Sequence, residues 1–489
     1  MFNAGGNYNN GANAGVFYLN GNNDLSNARW NYLARISDQS LRQAGVYPCC
    51  GKNRNERDRR IVGKRNPASV SESMKKKCKN IDITDCKTVL PWVSDCIYRH
   101  KKRYDFKALL LRHGVTKDEY FAALETYDYS AFDKAIESIA REACGRIKER
   151  NLDLPPVHIR KMTDTTTGKT RDIGKESAMQ QVYDHIAVHS CEEIFRCRMV
   201  EQQMSSIKGR GQIKGVQLIR KYITKDNGSI RYAKRHGMKY GSKCKYHVKL
   251  DIRKCYPSAN MEIFMKLLEH DCANGDIIWL WRTLLESHRT EGYTGFMIGA
   301  LPSQWACQLM LSCIYRKAMS IAKTRRGKKI RSVTHMVMFM DDMLLFGSDR
   351  QALLEAVREI ITYAKEALGF EIKQNFHIKE LETEGVDMMG FIVYRNGKTK
   401  MRGRNFIRSR RLMLRFIRTG RLVLPQAKRL ISFKGFWKYS DSRRAGRELK
   451  TNKIFSKCAL LISSFYKEAE NAKIILHGRT RSDSVFATA

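Results

Sequence analysis

No apolar run in this 489-residue sequence approaches the ~18–20 residues needed to cross a bilayer; each is short and interrupted by Lys or Arg. The N-terminus also lacks the basic-then-apolar layout of a secretory leader, so a cytoplasmic location without membrane contact is expected. Among 14 cysteines there is no CxxC pair and no histidine at zinc-finger spacing. That argues against structural zinc and for reduced, mostly buried thiols. Acidic residues are scarce beside basic ones: 49 Asp+Glu stand against 90 Lys+Arg, a net charge of +41. A charge of that size, spread along the whole chain, repels itself unless a polyanion neutralises it, and nucleic acid is the natural polyanion. What is present suffices for a core: 43% of residues are apolar and the mean hydropathy is −0.48, in a chain long enough for two or three domains.

Residues 1–34 are rich in Asn with Gly and Ser between, a composition that offers little to bury. Residues 35–150 read as a basic α-helical extension, with KRYDFKALLLRHG and TKDEYFAALETYDYSAFDKAIESIAREACGRIKER carrying apolar positions at three- and four-residue steps. Pro155-Pro156 closes that region. VHIRKMTDTTTGKTRDIG then reads as a basic hairpin, AMQQVYDHIAVHSCEEIF as a helix, SSIKGRGQIKG as a turn before another helix, and KYHVKLDI as a half-buried strand ending at Asp251. In THMVMFMDDMLLFG two apolar runs flank Asp341 and Asp342, the pattern of a hairpin with carboxylates at its tip. Ser348 and Gln351 have capping-box spacing for the helix DRQALLEAVREIITYAKEAL, which Gly369 would end. FEIKQN and DMMGFIVYR read as strands, and the chain from about Asn396 onward is strongly basic and helical.

Two-metal phosphoryl transfer needs carboxylates converging from different segments on two ions ~3.5–4 Å apart. An Asp pair is ordinarily an exposed turn. Framed by VMFM and MLLF, however, two acids repel each other between core strands unless a cation compensates them. Asp251 at a strand end could join them through an adjacent strand of the same sheet.

These residues carry a resemblance. FMDD at Phe339 to Asp342 looks like the polymerase YxDD box, and DIRKCY at Asp251 to Tyr256 resembles the first carboxylate motif of reverse transcriptases. The likeness runs from about Pro155 to Asp441. GKTRDIG resembles the fingers segment that grips the nucleotide, with Arg171 matching the triphosphate-contacting arginine and Lys169 beside it. SSIKGRGQIKG resembles the glycine-bearing turn before the palm, and LPSQW at Leu301 to Trp305 falls at the nucleotide-pocket motif. LGFEIKQN with GVDMMGFIVY resembles the strand pair and the turn that support the primer terminus, and RLISFKGFWKYSDS resembles the opening of the thumb.

The resemblance implies an α/β right-hand polymerase with an α-rich N-terminal extension: fingers over 151–240, a palm with an antiparallel sheet over 241–395 with part of the fingers inserted, and a basic helical thumb and tail over 396–489. It implies an RNA-directed DNA polymerase that takes dNTPs, template RNA and its cDNA product. The catalytic residues would be Asp251, Asp341 and Asp342, with Ile252 among the metal-site residues and two Mg2+ ions for which Mn2+ can substitute. Asp251 and Asp341 are the expected main ligands. The dNTP site would use Lys169, Arg171, Tyr256, Ser303 and Gln304. A bulky ring at Tyr256 would exclude a 2′-hydroxyl and so select deoxynucleotides; ordinary core packing is the other reading. Lys208 and Arg210 are expected on backbone phosphate. Lys434, Trp437, Lys438 and Arg443, interleaved with Phe433, Phe436 and Tyr439, suit stacking and phosphate contact along a template–primer groove, although helical spacing equally permits Trp437 in the thumb core.

Two departures bear on the biological role. The box has Phe339 where Tyr is common, which keeps the ring's packing. Many members read LPQG where this chain reads Leu301-Pro302-Ser303-Gln304. An SQ there resembles the reverse transcriptases of diversity-generating retroelements, which copy a template RNA with errors opposite adenine. The Asn-rich start resembles the variable segment of the lectin-like proteins that such elements diversify, so it is expected to be a translated template repeat. The long extension instead resembles bacterial enzymes of anti-phage defence. A basic accessory protein would accompany the first role and a dedicated non-coding RNA the second. A further alternative, a non-catalytic RNA-binding protein on a polymerase fold, is opposed by the intact acids. The stretch after Asp441 is too short for a ribonuclease H domain.

Overall fold

The computed structural model describes residues 76–163, 168, 170–207, 209–289 and 295–466. The Asn-rich start, the first part of the extension, Lys169, Lys208 and the last residues of the tail lie outside them.

The extension begins with α1 (Cys86–His100), α2 (Tyr104–Arg112), α3 (Lys117–Thr126) and α4 (Asp133–Lys148). Local chemistry starts two of these helices. Asp85 accepts from the backbone N–H groups of Lys87 and Thr88, and Thr116 and Glu119 form a reciprocal capping box at α3. In α4 the buried set Ile136, Ile139, Ala140, Ala143 and Ile147 follows the helical repeat and forms a single apolar stripe. These helices share one core with the fingers and palm: Val93 and Ile97 of α1 belong to the same buried cluster as Val182 and Ile186 of α5 (Ala178–Ser190) and Val248 and Leu250 of β3 (Tyr246–Asp251). A main-chain tie adds to it, with Lys77 donating to Asp271 and accepting from Ala273. The extension expected over 35–150 is therefore no separate domain where it is described; its own stripe is too narrow to close a core without the palm.

The fingers hairpin pairs β1 (His158–Thr163) with β2 (Thr170–Lys175). After α5 come α6 (Glu192–Arg198) and the long α7 (Gln212–Arg235). Beyond β3 the chain makes α8 (Cys255–Ser258), α9 (Met261–Asp271), α10 (Gly275–Ser287) and α11 (Leu301–Ser320), then a ribbon of β4 (Ala322–Arg325) and β5 (Lys328–Arg331). β6 (His335–Phe339) and β7 (Asp342–Gly347) follow, then α12 (Arg350–Leu368) and β8 (Lys379–Glu380). The palm sheet is antiparallel with order β6-β7-β3-β8. Both its faces are covered. Met336, Met338, Met343 and Leu345 point into the core shared by α1–α6 and α8–α12, while Val337, Leu344 and Phe346 point into a second core. Burial on both sides is why these strands read as unbroken apolar runs and not as an alternation.

The second core joins α7 to a three-stranded sheet of β9 (Val386–Met388), β10 (Phe391–Val393) and β11 (Thr399–Met401) and to thumb helices α13 (Gly403–Thr419), α14 (Leu424–Ser432), α15 (Lys434–Tyr439) and α16 (Arg443–Glu448). β10 pairs with β11 across the expected palm–thumb boundary at 395/396, so that boundary cuts a sheet.

Three local expectations change. Asp349, not Ser348, caps α12, accepting from Ala352 N–H at 2.7 Å. FEIKQN makes only a single bridge, Ile252 to Ile372, because it leaves the sheet edge at once. The helix expected through 178–195 breaks at Cys191 into α5 and α6. The Gly369 terminus holds, in the left-handed region at φ 72°.

Ile97 is fully buried, so Ile97→Ala is expected to cost about 2–5 kcal/mol. Because the core is shared, near-ultraviolet circular dichroism during melting should show the palm transition itself moving down; an unmoved palm transition would mean that the helical layer unfolds by itself.

Candidate active site

β3 and β7 pair with Asp251 directly opposite Asp342, and Ile252 N–H donates to the Asp341 carbonyl at 3.2 Å. Two acids from adjacent strands and a third from the β6–β7 turn thus gather at one end of the palm sheet. Alternation along β3 and β7 puts Asp251 and Asp342 on the face shared with Leu344 and Phe346, toward the thumb. Lysines partly offset the negative charge: Lys249 Nζ lies 2.9 Å from Asp342 and Lys373 Nζ 2.6 Å from Asp251. Burial, with Asp342 and Asp251 adding repulsion, pushes Asp341 up to about 6. Three carboxylates converging at one end of the sheet, one of them resisting ionisation, are the oxygen-rich kind of donor that hard divalent cations favour.

The hairpin tip is held from outside. The turn between β6 and β7 consists of Met340 and Asp341, and Met340 sits at φ 50°, a region costly for a residue with a Cβ. Its Sδ lies 2.8 Å from Gln308 Nε2, and Gln308 Oε1 accepts from Gln203 at 2.6 Å. Residues 202–204 run along β6, with Met338 N–H donating to Gln202 and Met204 N–H to Met338. That anchors the start of SSIKGRGQIKG beside the carboxylates. At its other end Gly215 approaches so closely that an added Cβ would lie 2.5 Å from Met389 Sδ. Met389 and Gly390 form the β9–β10 turn, and a Cβ on Gly390 would meet the Phe436 ring of α15 at 2.5 Å. Gly215 and Gly390 are favoured by close approach, whereas Gly209 has open space around it and is favoured by its φ of 74°.

The remaining expected residues are placed as follows. Arg171 is half-buried on β2, whose Gly174 N–H donates to Ile298 at 2.9 Å, so the hairpin leans on the loop leading into α11. Ser303, fully buried, and Gln304, half-buried, lie in the first turn of α11. Cys307, one turn on, touches Cys255 with the sulfurs 3.2 Å apart, which brings Tyr256 of α8 against α11. Tyr256 is 8% exposed and its carbonyl accepts from Phe296 N–H at 2.8 Å. Arg210 turns inward, its guanidinium donating to the Val200 carbonyl. That bond pins the turn, so Arg210 is not placed as a phosphate contact. Lys434, Lys438 and Arg443 are exposed on the thumb. Trp437 is not: its indole N–H donates to Ser409 at 3.0 Å and its ring packs on Phe406, so it is a core residue and no stacking platform.

Gln203, Gln308, Lys249 and Lys373 gave no signal in the sequence, because each acts through a partner distant along the chain. The β4–β5 ribbon could have been found from its run AKTRRGKKIR. It is exposed throughout and sets Arg325 opposite Lys328, a like-charge pair that a phosphate backbone would relieve.

Residues 159–393 match the family model of reverse transcriptase (RNA-dependent DNA polymerase), a span that contains the three acids and every element that holds them. The chain carries a reverse transcriptase domain. It is an RNA-directed DNA polymerase, a nucleotidyltransferase with the right-hand polymerase fold, and enzymes with this domain use divalent metal ions. Among solved structures it is similar to the apo telomerase of Candida tropicalis truncated from its C-terminal domain, at 11% identity over 64% of this chain and 76% of that one, TM-score 0.36. It is also similar to the telomerase of Candida albicans in complex with a fragment of telomeric RNA, at 13% identity over 72% and 71%, TM-score 0.34. No curated protein matches the sequence. No helix among the described residues is long and apolar enough to cross a membrane.

The raised Asp341 has a consequence for stability. A carboxyl whose folded pKa lies above its unfolded one favours the folded state when protonated, so without metal that contribution is lost as pH rises from ~4 through about 6. A divalent ion at the site removes the penalty. The gain in melting temperature on adding Mg2+ should therefore be larger at pH ~7.5 than at pH ~5; equal gains would mean that the ion binds away from Asp341.

Proposed function

We propose that the enzyme extends a primer 3′-end along an RNA template with Asp251 and Asp341 as the main ligands of two Mg2+ ions, Mn2+ being able to substitute, and with Asp342 and Ile252 completing the site. The observation that carries this is the register that sets Asp251 opposite Asp342 while Ile252 binds the Asp341 carbonyl. When bound, the ions activate the 3′-hydroxyl and stabilise the leaving pyrophosphate. The protein's part is positional: Arg171 on its hairpin meets the triphosphate with a guanidinium fork, assisted by Lys169. Tyr256 sets a ring against the sugar, and the first turn of α11 bounds the pocket, with Gln304 half-buried and Ser303 packed behind it. Lys434, Lys438 and Arg443, with Lys208, neutralise backbone phosphate. Asp341→Asn is expected to abolish extension of oligo(dT) on poly(rA) with Mg2+ while leaving RNA affinity within about twofold. Undiminished synthesis by that variant would refute the assignment.

We infer further that the template is copied with frequent errors opposite adenine, as in a diversity-generating retroelement. The support is Ser303-Gln304 at the pocket helix, with the Ser303 hydroxyl buried and without a hydrogen-bond partner. An unsatisfied hydroxyl buried under the first turn of α11 destabilises that turn and so loosens the half-buried Gln304 beside it. The double variant Ser303→Gln, Gln304→Gly should lower misincorporation opposite template adenine, read by sequencing the cDNA; an unchanged error spectrum would remove the pocket as its cause. A second reading, a defence enzyme working with a dedicated non-coding RNA, draws support from the helical layer built into the main core. The neighbouring genes distinguish the two: a lectin-like target with a small accessory gene for the first, a structured non-coding RNA for the second.

A further inference from the structure

Five side chains able to bind a metal gather where α1 crosses α5: Asp95, Cys96 and His100 from one helix, His185 and His189 from the other. The two histidines of α5 are one turn apart at i and i+4, so both rings leave the same face. Asp95 of α1 meets them, with its Oδ2 3.8 Å from His185 Nδ1 and 3.7 Å from His189 Nε2. These separations are too long for hydrogen bonds. They lie close to the ~3.3–3.4 Å that separates ligand atoms around tetrahedral zinc with bonds of ~2.0–2.1 Å. The two separations from Asp95 would close by only a few tenths of an ångström, and all three ligand atoms lie within 4.8 Å of one another. His185 is 5% exposed, and its Nδ1, aimed at Asp95 and His189, has no hydrogen-bond partner. A buried ring nitrogen left unsatisfied is costly, and a coordinated ion removes that cost.

Other clusters fit less well. Cys96 and His100 could share His185, but His100 Nδ1 is already bonded to the Cys96 carbonyl at 2.9 Å and the Cys96 thiol faces the Gln181 carbonyl at 3.6 Å. Glu176, Asp184 and His288 are buried together, yet His288 Nε2 and Glu176 touch at 2.7 Å, a direct hydrogen bond with no room for an ion between them. Asp95 does have a competing partner in Arg99, 2.8 Å from Oδ2, whose side chain is 49% exposed. A carboxylate oxygen carries two lone pairs, so it can accept from the guanidinium and still ligate a metal. Trp92 stacks on His189 with ring centres 6.3 Å apart, which fixes that ring's plane.

We propose that Asp95, His185 and His189 bind one zinc ion, with water in the fourth position, clasping the N-terminal helical layer to the fingers. A donor set of two imidazoles and one carboxylate suits zinc better than magnesium or calcium. The site is separate from the catalytic acids and owes nothing to them.

The test uses the full chain, stripped with EDTA and titrated with ZnSO4 or with Co2+, whose visible absorption reports tetrahedral coordination. Metal content by atomic emission and melting temperature complete the readout. The expected result is a single tight zinc that raises the melting temperature, with affinity reduced at least ~10-fold by His189→Gln and by Asp95→Asn. Both variants should match the EDTA-stripped wild type in circular dichroism, which separates loss of the ion from failure to fold. The double variant Asp251→Asn, Asp341→Asn should retain the zinc. The proposal is overturned by a chain that takes up no zinc, by wild-type affinity in His189→Gln, by loss of the ion in the catalytic double variant, or by loss in Cys96→Ala with retention in His189→Gln.

Discussion

Asp251, Asp341 and Asp342 repel one another, and the protein must hold them together before any cation arrives. Burial of Asp341 at the hairpin tip makes this harder, since it raises the cost of ionising that carboxyl. The opposing force is the palm sheet, anchored on both faces by separate cores, so that neither β3 nor β7 can slip without exposing buried methionine, leucine or phenylalanine. A one-residue slip would also turn Asp342 away from Asp251. Register is therefore the quantity that the apolar residues stabilise, and the acids inherit their geometry from it. Lys249 and Lys373 offset part of the repulsion.

The turn itself is the weak point, because Met340 occupies a backbone region that favours glycine. Its side chain is what justifies it: Gln308 reaches from α11 to its sulfur, and Gln203 holds Gln308 in place. The same helix α11 begins at Leu301-Pro302-Ser303-Gln304. One element therefore carries both this segment and the brace under the carboxylates, so a shift of α11 would be felt at the hairpin tip. The close approaches of Gly215 to Met389 and of Gly390 to Phe436 extend this linkage from α7 to the thumb.

Elements whose evidence is local were legible in the sequence. The hairpin around Asp341 and Asp342, the strand ending at Asp251 and the glycine end of α12 all show in runs of ten or so residues. What was not legible depends on partners far along the chain. Trp437 has the same sequence signature whether it packs on Phe406 or stacks on a base, and only the Ser409 hydroxyl decides. The Asp349 cap sits one residue from an equally good Ser348. Lys373 lies in a segment that resembles a strand but serves as a tether, its backbone N–H and its ammonium both reaching Asp251. Absence of CxxC spacing ruled out a zinc finger, yet it carries no information about His185 and His189 meeting Asp95 across a helix crossing.

The excess of cations also takes on a structural meaning. Within the palm, lysines sit beside acids and the local charge is nearly balanced; the excess is displaced outward, to the β4–β5 ribbon and the exposed faces of α13 and α15. Such an arrangement is repulsive within each patch, and no described acid faces Arg325 and Lys328 across the ribbon. A nucleic acid lying along these surfaces would relieve the repulsion while leaving the carboxylates, of opposite sign, for the divalent ions. The basic surfaces and the carboxylates are thereby kept apart, so counterions of opposite sign would be drawn to different places. Lys249 and Lys373 supply the positive charge at the acids, while the fingers hairpin that carries Arg171 reaches the loop before α11 through Gly174 and Ile298.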